Sequence, residues 1–383
     1  MLNKKYKIKD TIDIYITETN KSEYITITFH IMTTRDRLEI STNKKVAEFL
    51  ALLDGIKTNK EIIEYLGGGE DLIQLENLIK FLLEQHLIYD FDEKIEINPR
   101  YKRQINFFDD LILDRSGTDS QLLLESKTIL FLGCGAVNAA IAENLVRCGV
   151  RSLILLDYKN VIASNFDRHN FFKKKYIGET KVEALSLYLN EIKSDLNIKK
   201  INCKLNYNSD LSEIIPKDVD LVINGCDEPY IGHTSLKIGR YLQGLNIPLY
   251  VSGGFDAHLM SSGELIYPPF TPCVDCVQKT FVKALSSWKP IYSESNNIEL
   301  IVNDCSNANV ESNENDNFNI GGAGGLAMQS CFSANFSCLS ILQLLLEDSA
   351  FNYSPIRYEY LINNGYLTEF DLEKQGGCNV CNR

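Results

Sequence analysis

The chain has 383 residues, of which 44% are hydrophobic and 23% charged, so it is long and apolar enough for two domains with buried cores. Its formal net charge of −12 argues against nucleic acid as the main partner, because a phosphate backbone attracts a basic surface. No apolar run approaches the length of a membrane span, and the eleven cysteines, without a basic and apolar leader, favour a reducing, cytoplasmic location.

Residues 1–95 predict a small separate domain. Apolar and polar residues alternate in TIDIYITE, EYITITFHI and DRLEIST, which predicts three short strands. Two amphipathic helices follow, with Thr42 and Thr58 as expected N-caps, and a third helix is expected from about Glu70 to His86. Three strands followed by three helices predict a winged-helix-like α+β domain.

The stretch LLDGIKTNKEIIEYL, at residues 52–66, resembles the peptide-recognition domains that accompany enzymes modifying ribosomally made peptides. Such domains clamp an extended leader peptide as an added strand. A DNA-binding wing and a ligand-free dimerisation module are the alternatives. Peptide recognition is favoured because the helical region is acidic or neutral where DNA binding would need Lys and Arg.

Residues 128–157 read as a strand, a glycine turn, a helix and a second strand. Gly133 and Gly135 form the turn, which lets the backbone approach phosphate oxygens at the positive end of the helix. Asp157 ends the second strand, where an acid accepts hydrogen bonds from ribose hydroxyls. Asn138 occupies the position of a third glycine. Taken alone, this segment suits a dehydrogenase as well as any other nucleotide-binding protein.

The residues that follow favour a triphosphate over a nicotinamide. Asn165, Arg168 and Lys181 add donors and cations, and the strand in DLVINGCDEP leads to Asp227. Two cations neutralise charge on phosphates, and a carboxylate holds magnesium. The sequence therefore predicts an ATP and Mg²⁺ site, although each residue taken alone also suits a solvated surface charge or a helix cap.

Two CxxC pairs predict a structural zinc site. Cys273 and Cys276 form one pair, and Cys378 and Cys381 form the other. Tetrahedral Zn²⁺ in a structural role takes four such ligands and keeps no open position. Two unrelated pairs or a redox disulfide are the alternatives. A zinc site of this kind would join the C-terminus to the body of the protein and perform no chemistry itself.

In this order the motifs resemble the E1-like adenylating superfamily, which includes ThiF, MoeB and ubiquitin-activating domains, over roughly residues 98–383. The resemblance implies a Rossmann-like ATP-binding adenylation domain at residues 96–383 that acts as a homodimer. The segment RYKRQINF resembles the family's entry helix, from which Arg103 would reach into the partner's site. Asp227 would coordinate magnesium, and Arg168, Lys181, Asp227 and Arg103 would be catalytic. The ATP-binding residues would be Gly133, Gly135, Asp157, Asn165, Arg168 and Lys181.

The N-terminal domain and the cysteine-rich tail resemble the peptide-modifying branch, which includes enzymes of microcin C and pantocin A maturation. The implied reaction is ATP-dependent adenylation of a carboxyl or carboxamide group on a ribosomal precursor peptide, with release of pyrophosphate. Two alternatives stay open. One is activation of a ubiquitin-like sulfur carrier, for which Cys305 in an Asn-rich stretch is the candidate relay thiol. The other is a noncatalytic leader-binding scaffold.

Overall fold

The structure is a computed structural model. It describes every residue except 1, 19–23, 33, 68–71, 92–97, 113–114, 207, 228–229, 257–258, 285–324, 348–352 and 382–383, and for 72–74 and 255–256 it describes the backbone alone. The chain divides into two compact units, Met1–Leu123 and Leu124–Arg383. The predicted boundary at residues 95 and 96 lies outside the described residues and stays a prediction, as does any role of Cys305.

In its described residues, the first unit contains two antiparallel three-stranded sheets. One has the order β2-β3-β4 and contains the three strands predicted from the sequence, and the other has the order β5-β1-β6. The sequence did not predict the second sheet, whose strands are short and far apart along the chain. The strands are β1 (Lys5–Ile8), β2 (Ile12–Glu18), β3 (Tyr24–Ile31), β4 (Arg37–Asn43), β5 (Asp54–Thr58) and β6 (Ile88–Asp90).

Helices cover the apolar faces of these sheets, and Phe29, Phe49 and Ile62 lie fully buried in the core. The helices are α1 (Lys44–Ala51), α2 (Asn59–Tyr65), α3 (Leu72–Glu84), α4 (Lys102–Leu111) and α5 (Gly117–Ser126), the last of which continues into the second unit. Thr58 caps α2 as predicted, within a capping box. The expected cap at Thr42 is wrong, because the neighbouring Asn43 accepts the Val46 N–H at 3.2 Å while Thr42 still pairs within β4.

The second unit is built on a mixed six-stranded sheet with the order β14-β11-β10-β7-β8-β9. All neighbours pair in parallel except β14, which is antiparallel to β11. The central strands are almost continuously buried, as expected for a sheet covered on both faces. These strands are β7 (Thr128–Leu132), β8 (Ser152–Leu156), β9 (Asn197–Ile201), β10 (Leu221–Asn224), β11 (Leu249–Ser252) and β14 (Gly263–Ile266).

A second sheet, with the order β12-β13-β15-β16, flanks the β14 side of this unit. Its strands are β12 (Phe255–Asp256), β13 (Leu259–Ser261), β15 (Ile356–Leu361) and β16 (Tyr366–Asp371). The helices are α6 (Ala136–Cys148), α7 (Lys181–Ile192), α8 (Leu211–Ile214), α9 (Ile231–Gln243), α10 (Val274–Ala284) and α11 (Ala327–Leu345). Among the described residues, no helix is both long and apolar enough to cross a membrane.

Candidate active site

The glycine turn joins β7 to α6 at the carboxyl edge of the large sheet, and the predicted strand, turn, helix and strand are all present. Gly133 has a φ of +86°, which favours glycine, and an added Cβ would lie 3.2 Å from the carbonyl group of Gly225. Gly225 itself directly follows β10. The ends of β7 and β10 therefore come together through two glycines.

Asn138, at the position of the third glycine, stabilises this turn by hydrogen bonds. Its Nδ2 donates to the carbonyl oxygens of Leu132, at 3.1 Å, and Gly133, at 2.8 Å. The side chain is 2% exposed and packs beneath Gly225, where an added Cβ would lie 2.7 Å from Nδ2. Asn138, which replaces the usual glycine, thus donates hydrogen bonds to the turn. Its side chain also leaves no room for a Cβ at residue 225, so that position must be glycine.

Asp157, directly after β8, is fixed beside the same turn. Its Oδ2 accepts the Cys134 N–H at 2.7 Å, and its Oδ1 accepts the Lys159 N–H at 2.8 Å. A carboxylate accepts up to about four hydrogen bonds. Asp157 therefore keeps lone pairs available for ribose hydroxyls while its orientation is set by the backbone.

The two predicted cations come from the segment between β8 and α7. Asn165 caps a short 3₁₀ turn by accepting the Ile162 N–H at 3.1 Å, and its own carbonyl oxygen accepts the Arg168 N–H at the same distance. Lys181 is the first residue of α7, after the N-cap Thr180. Neither the Arg168 nor the Lys181 side chain pairs with an acid among the described residues, so both charges are available to a ligand.

His169 lies beside these cations and is 7% exposed. Its ring stacks on Phe172, with centroids 4.6 Å apart. Burial, followed by the charges of Lys181 and Arg168, lowers the pKa of His169 to about 3. The imidazole is therefore neutral near pH 7 and does not compete with the cations for a phosphate.

Asp227 follows β10 by three residues. The loop is shaped by Asn224, whose Oδ1 accepts the Cys226 N–H at 3.1 Å. The Asp227 side chain is exposed and forms no ion pair with any residue the structure describes. An exposed carboxylate of this kind suits a hard divalent ion such as Mg²⁺.

These residues line one cleft of about 680 Å³ at the carboxyl edge of the sheet. All seven residues predicted for nucleotide and magnesium lie there: Gly133, Gly135, Asp157, Asn165, Arg168, Lys181 and Asp227. Arg103 lies on α4 of the first unit with its side chain exposed. Its reach into a partner's site stays a prediction.

The cleft has further lining residues that the sequence did not indicate. At the β9 end, the Lys204 ammonium lies 4.9 Å from the centroid of the Tyr158 ring. At the β14 end, Glu264 and Arg357 form an ion pair at 3.1 Å. Tyr158 directly follows Asp157 in the sequence, so its position in the cleft was predictable from that neighbour. The pairing of Glu264 with Arg357, which are 93 residues apart, has no local signature.

The four cysteines predicted for zinc lie together, with all their sulfur atoms within 4.8 Å of one another. The Cys273 and Cys378 sulfurs are 3.6 Å apart, as are those of Cys276 and Cys381. A Zn–S distance of about 2.3 Å in a tetrahedron separates the sulfurs by about 3.8 Å, so the cluster fits Zn²⁺.

Hydrogen bonding and burial shift the pKa values of these thiols in opposite directions. The backbone N–H groups of Cys381 and Val380 lower the pKa of Cys378 to about 6, whereas burial raises the pKa of Cys273 and of Cys381. The Gln375 N–H also donates to the Cys276 sulfur at 3.3 Å. Cys273 and Cys378 are almost fully buried. The donor set and its surroundings therefore suit a closed structural site.

A model described as the ThiF family matches residues 101–380. This chain belongs to the ThiF family. It is similar to the molybdopterin-synthase adenylyltransferase of Haemophilus influenzae, with 31% identity over 185 residues that cover 48% of this chain and 70% of that protein. The Escherichia coli protein of the same name is 29% identical over 185 residues, which cover 48% and 68%. The predicted enzyme class, an ATP-dependent adenylyltransferase, is confirmed at the level of the family.

Solved structures show the same fold over nearly the whole chain. E. coli MccB with ATP has a TM-score of 0.66 and 16% identity, and the match covers 98% of this chain and 99% of that one. A complex of MccB with AMPCPP and MccA has a TM-score of 0.66 and 15% identity, with the same coverage. PaaA has a TM-score of 0.60 and 18% identity, covering 78% of this chain and 92% of PaaA.

Proposed function

We propose that this protein uses ATP to adenylate a carboxyl or carboxamide group on a ribosomally made precursor peptide and releases pyrophosphate. The observation that carries the proposal is the cleft, in which two cations, Arg168 and Lys181, share the lining with the carboxylate of Asp227. None of the three has an ion-pair partner in the part of the chain that the structure describes. A nicotinamide cofactor does not require two cations and a metal-binding carboxylate, whereas a triphosphate with magnesium requires all three groups. The fold shared with MccB and PaaA supports the peptide branch.

In this proposal, the parts of ATP follow the order of the strands along the cleft. The ribose meets Asp157 at the end of β8, and the phosphates meet the glycine turn, where the N-terminus of α6 adds positive potential. Arg168 and Lys181 neutralise the phosphate oxygens. Asp227 holds Mg²⁺, which supplies further charge neutralisation when it is bound.

The acceptor carboxylate is ionised near neutral pH, so it attacks the α-phosphorus without a general base. An oxygen–phosphorus bond forms to the acceptor, the bond from the α-phosphorus to the bridging oxygen breaks, and pyrophosphate leaves with that oxygen. Arg168 and Lys181 stabilise the charge that moves onto the leaving group. In a homodimer, Arg103 of a second copy adds a further cation.

The Cys273, Cys276, Cys378 and Cys381 cluster holds a structural Zn²⁺ in this proposal. Cys276 lies on α10, and the other pair lies in the C-terminal tail. The metal therefore fixes the tail to α10. Because four thiolates leave no open position, the ion takes no part in adenylation.

The first unit supplies peptide recognition. Strand β2 is an edge of its sheet, and Tyr15 and Ile16 on that strand are more than half exposed. An edge strand with unpaired N–H and C=O groups accepts an extended peptide as one more strand. The leader segment of the precursor binds in this way, while the group to be modified enters the cleft.

Activation of a ubiquitin-like sulfur carrier is the second candidate, and the 31% identity to molybdopterin-synthase adenylyltransferase favours it. The two candidates differ in the acceptor. A sulfur carrier presents the C-terminus of a folded protein, and a cysteine thiol then displaces AMP from the acyl adenylate to form a covalent thioester that is lost on replacing that cysteine. A precursor peptide needs neither.

The test measures pyrophosphate release from Mg·ATP with a synthetic copy of the small peptide encoded nearest to this gene. Asp227→Asn should lower the rate about 100-fold. The matched control Asp218→Asn changes an exposed acid elsewhere in the same unit and should leave the rate unchanged. Release that needs a small protein ending in Gly-Gly, and not the peptide, would establish the second candidate instead.

A further inference from the structure

The cleft continues past the residues proposed for the nucleotide, to Glu264 and Arg357. Adjacent strands lie about 4.8 Å apart, so Asp157 after β8 and Glu264 on β14 are separated by four strand spacings, or about 19 Å, along the sheet. The glycine turn and Asp227 occupy the middle of this distance, after β7 and β10. The end formed by β11 and β14 has no assigned ligand.

Arg357 is held at this end from three directions. Its Nε donates to Glu359 at 2.9 Å, and its Nη1 donates to Glu264 at 3.1 Å. Its guanidinium carbon lies 5.4 Å from the centroid of the Phe281 ring. Glu264 is 6% exposed, so this is a largely buried arrangement with a fixed geometry.

The third nitrogen of the guanidinium, Nη2, accordingly has no acceptor among the described residues. Arg357 lines the cleft and its side chain is 21% exposed. A guanidinium that is fixed by two of its nitrogens and free at the third is a preorganised hydrogen-bond donor. Its natural partner is an oxygen on a bound ligand.

The neighbouring backbone leaves room for an extended chain. Gly253 must be glycine, because an added Cβ would lie 1.9 Å from the Ser261 carbonyl oxygen. At Gly254, by contrast, an added Cβ would meet no atom of the described residues within 4 Å, and this residue also lines the cleft. An acceptor segment can therefore lie along this wall beside Arg357.

The charges around Arg357 favour an uncharged carbonyl oxygen over a carboxylate oxygen as the partner of Nη2. Arg357 contributes one positive charge, and Glu264 and Glu359, at hydrogen-bond distance from it, contribute two negative charges when both are ionised. Burial raises the pKa of Glu264, whereas the charge of Arg357 and its hydrogen bond lower it. A second carboxylate would meet a local charge of −1 in a partly buried site and would be repelled. An uncharged carbonyl oxygen accepts the Nη2 hydrogen bond without that repulsion.

Building on the proposed function, we propose that Arg357 forms an acceptor subsite at the β14 end of the cleft. It binds an uncharged carbonyl group of the peptide, from the backbone or a side-chain amide, next to the carboxylate that is adenylated. Glu264 and Glu359 hold Arg357 in place and reject acidic groups. The subsite thus selects acceptor segments without a second carboxylate near the reacting group.

The test follows the Arg357 Nε–H signal by NMR in the full chain labelled with ¹⁵N-arginine. The signal is assigned as the one absent from Arg357→Lys. N-acetylalaninamide is the uncharged probe, and sodium acetate is the charged one. The amide should shift the signal with a saturating curve, and acetate should bind at least about tenfold more weakly. No shift with the amide, or equal binding of acetate, overturns the proposal.

Two variants separate binding from structural support. Glu359→Gln removes one negative charge. It should therefore lower the ratio of the acetate dissociation constant to the amide dissociation constant by about fivefold or more. An unchanged ratio contradicts the charge argument.

The double variant R357M/E264M replaces the buried pair by apolar groups, so it should stay folded. By calorimetry it should bind Mg·ATP like the wild type and lose amide binding; retained amide binding overturns the assignment. Failure of Mg·ATP to bind the wild type would instead contradict the proposed function.

Discussion

Replacing Asn138 by alanine should destabilise the second unit measurably. The substitution removes two buried hydrogen bonds, to Leu132 and Gly133, each worth about 1 kcal/mol. The void left beneath Gly225 adds about 1 kcal/mol. Alanine regains about 0.6 kcal/mol of helix propensity in α6. The expected net loss in the free energy of unfolding is about 2 kcal/mol.

Asn144→Ala is the matched control, since it is the same substitution on the same helix. Asn144 is less buried, and its Nδ2 donates to Asn335 at 2.7 Å near the surface. Thermal unfolding followed by circular dichroism should show Asn138→Ala melting about 4 to 8 °C below Asn144→Ala. Calorimetry should also show weaker Mg·ATP binding for Asn138→Ala alone. Equal melting temperatures for the two variants would refute the role of Asn138 in fastening the turn.

Three further outcomes are expected. Cys378→Ser should lower the zinc content of purified protein from about one ion per chain, measured by plasma mass spectrometry, and should make the tail susceptible to protease; full zinc retention would contradict the four-thiolate site. His169 has a folded pKa of about 3, below its unfolded value, so stability should fall as the pH drops below about 6.5. Between pH 7.5 and 5.0, the free energy of unfolding in urea should fall by about 2 kcal/mol more for the wild type than for His169→Gln. An equal fall for the two proteins would argue against a buried neutral imidazole. Lys181→Met should weaken Mg·ATP binding at least about tenfold, whereas Lys174→Met, an exposed control, should not.

The sequence predicted the nucleotide-binding half well because its signals are local. Gly133, Gly135 and Asp157 fall within one strand, turn, helix and strand, and each CxxC pair is contiguous. Parallel strands place their carboxyl ends at one edge, so Asp227 could be expected there from its position after an apolar strand. The structure brings these groups into one cleft for that reason.

What the sequence did not predict depends on contacts between distant segments. Strand β1 pairs with β5 and β6, although some 50 and 80 residues separate them, and all three are too short to show a period of two. The Arg357 and Glu264 pair joins β15 to β14 across 93 residues. The N-cap of α1 is Asn43 and not the predicted Thr42, because β4 continues to Asn43. The Asn43 side chain therefore accepts the Val46 N–H.

The glycine turn alone suits a dinucleotide as well as ATP, so the central claim is that the cationic cleft binds a triphosphate. Isothermal titration of Mg·ATP and of NADH into the wild type tests it most directly. Mg·ATP should bind with micromolar affinity and NADH should give no heat of binding. Tight binding of NADH with no response to Mg·ATP would contradict the account.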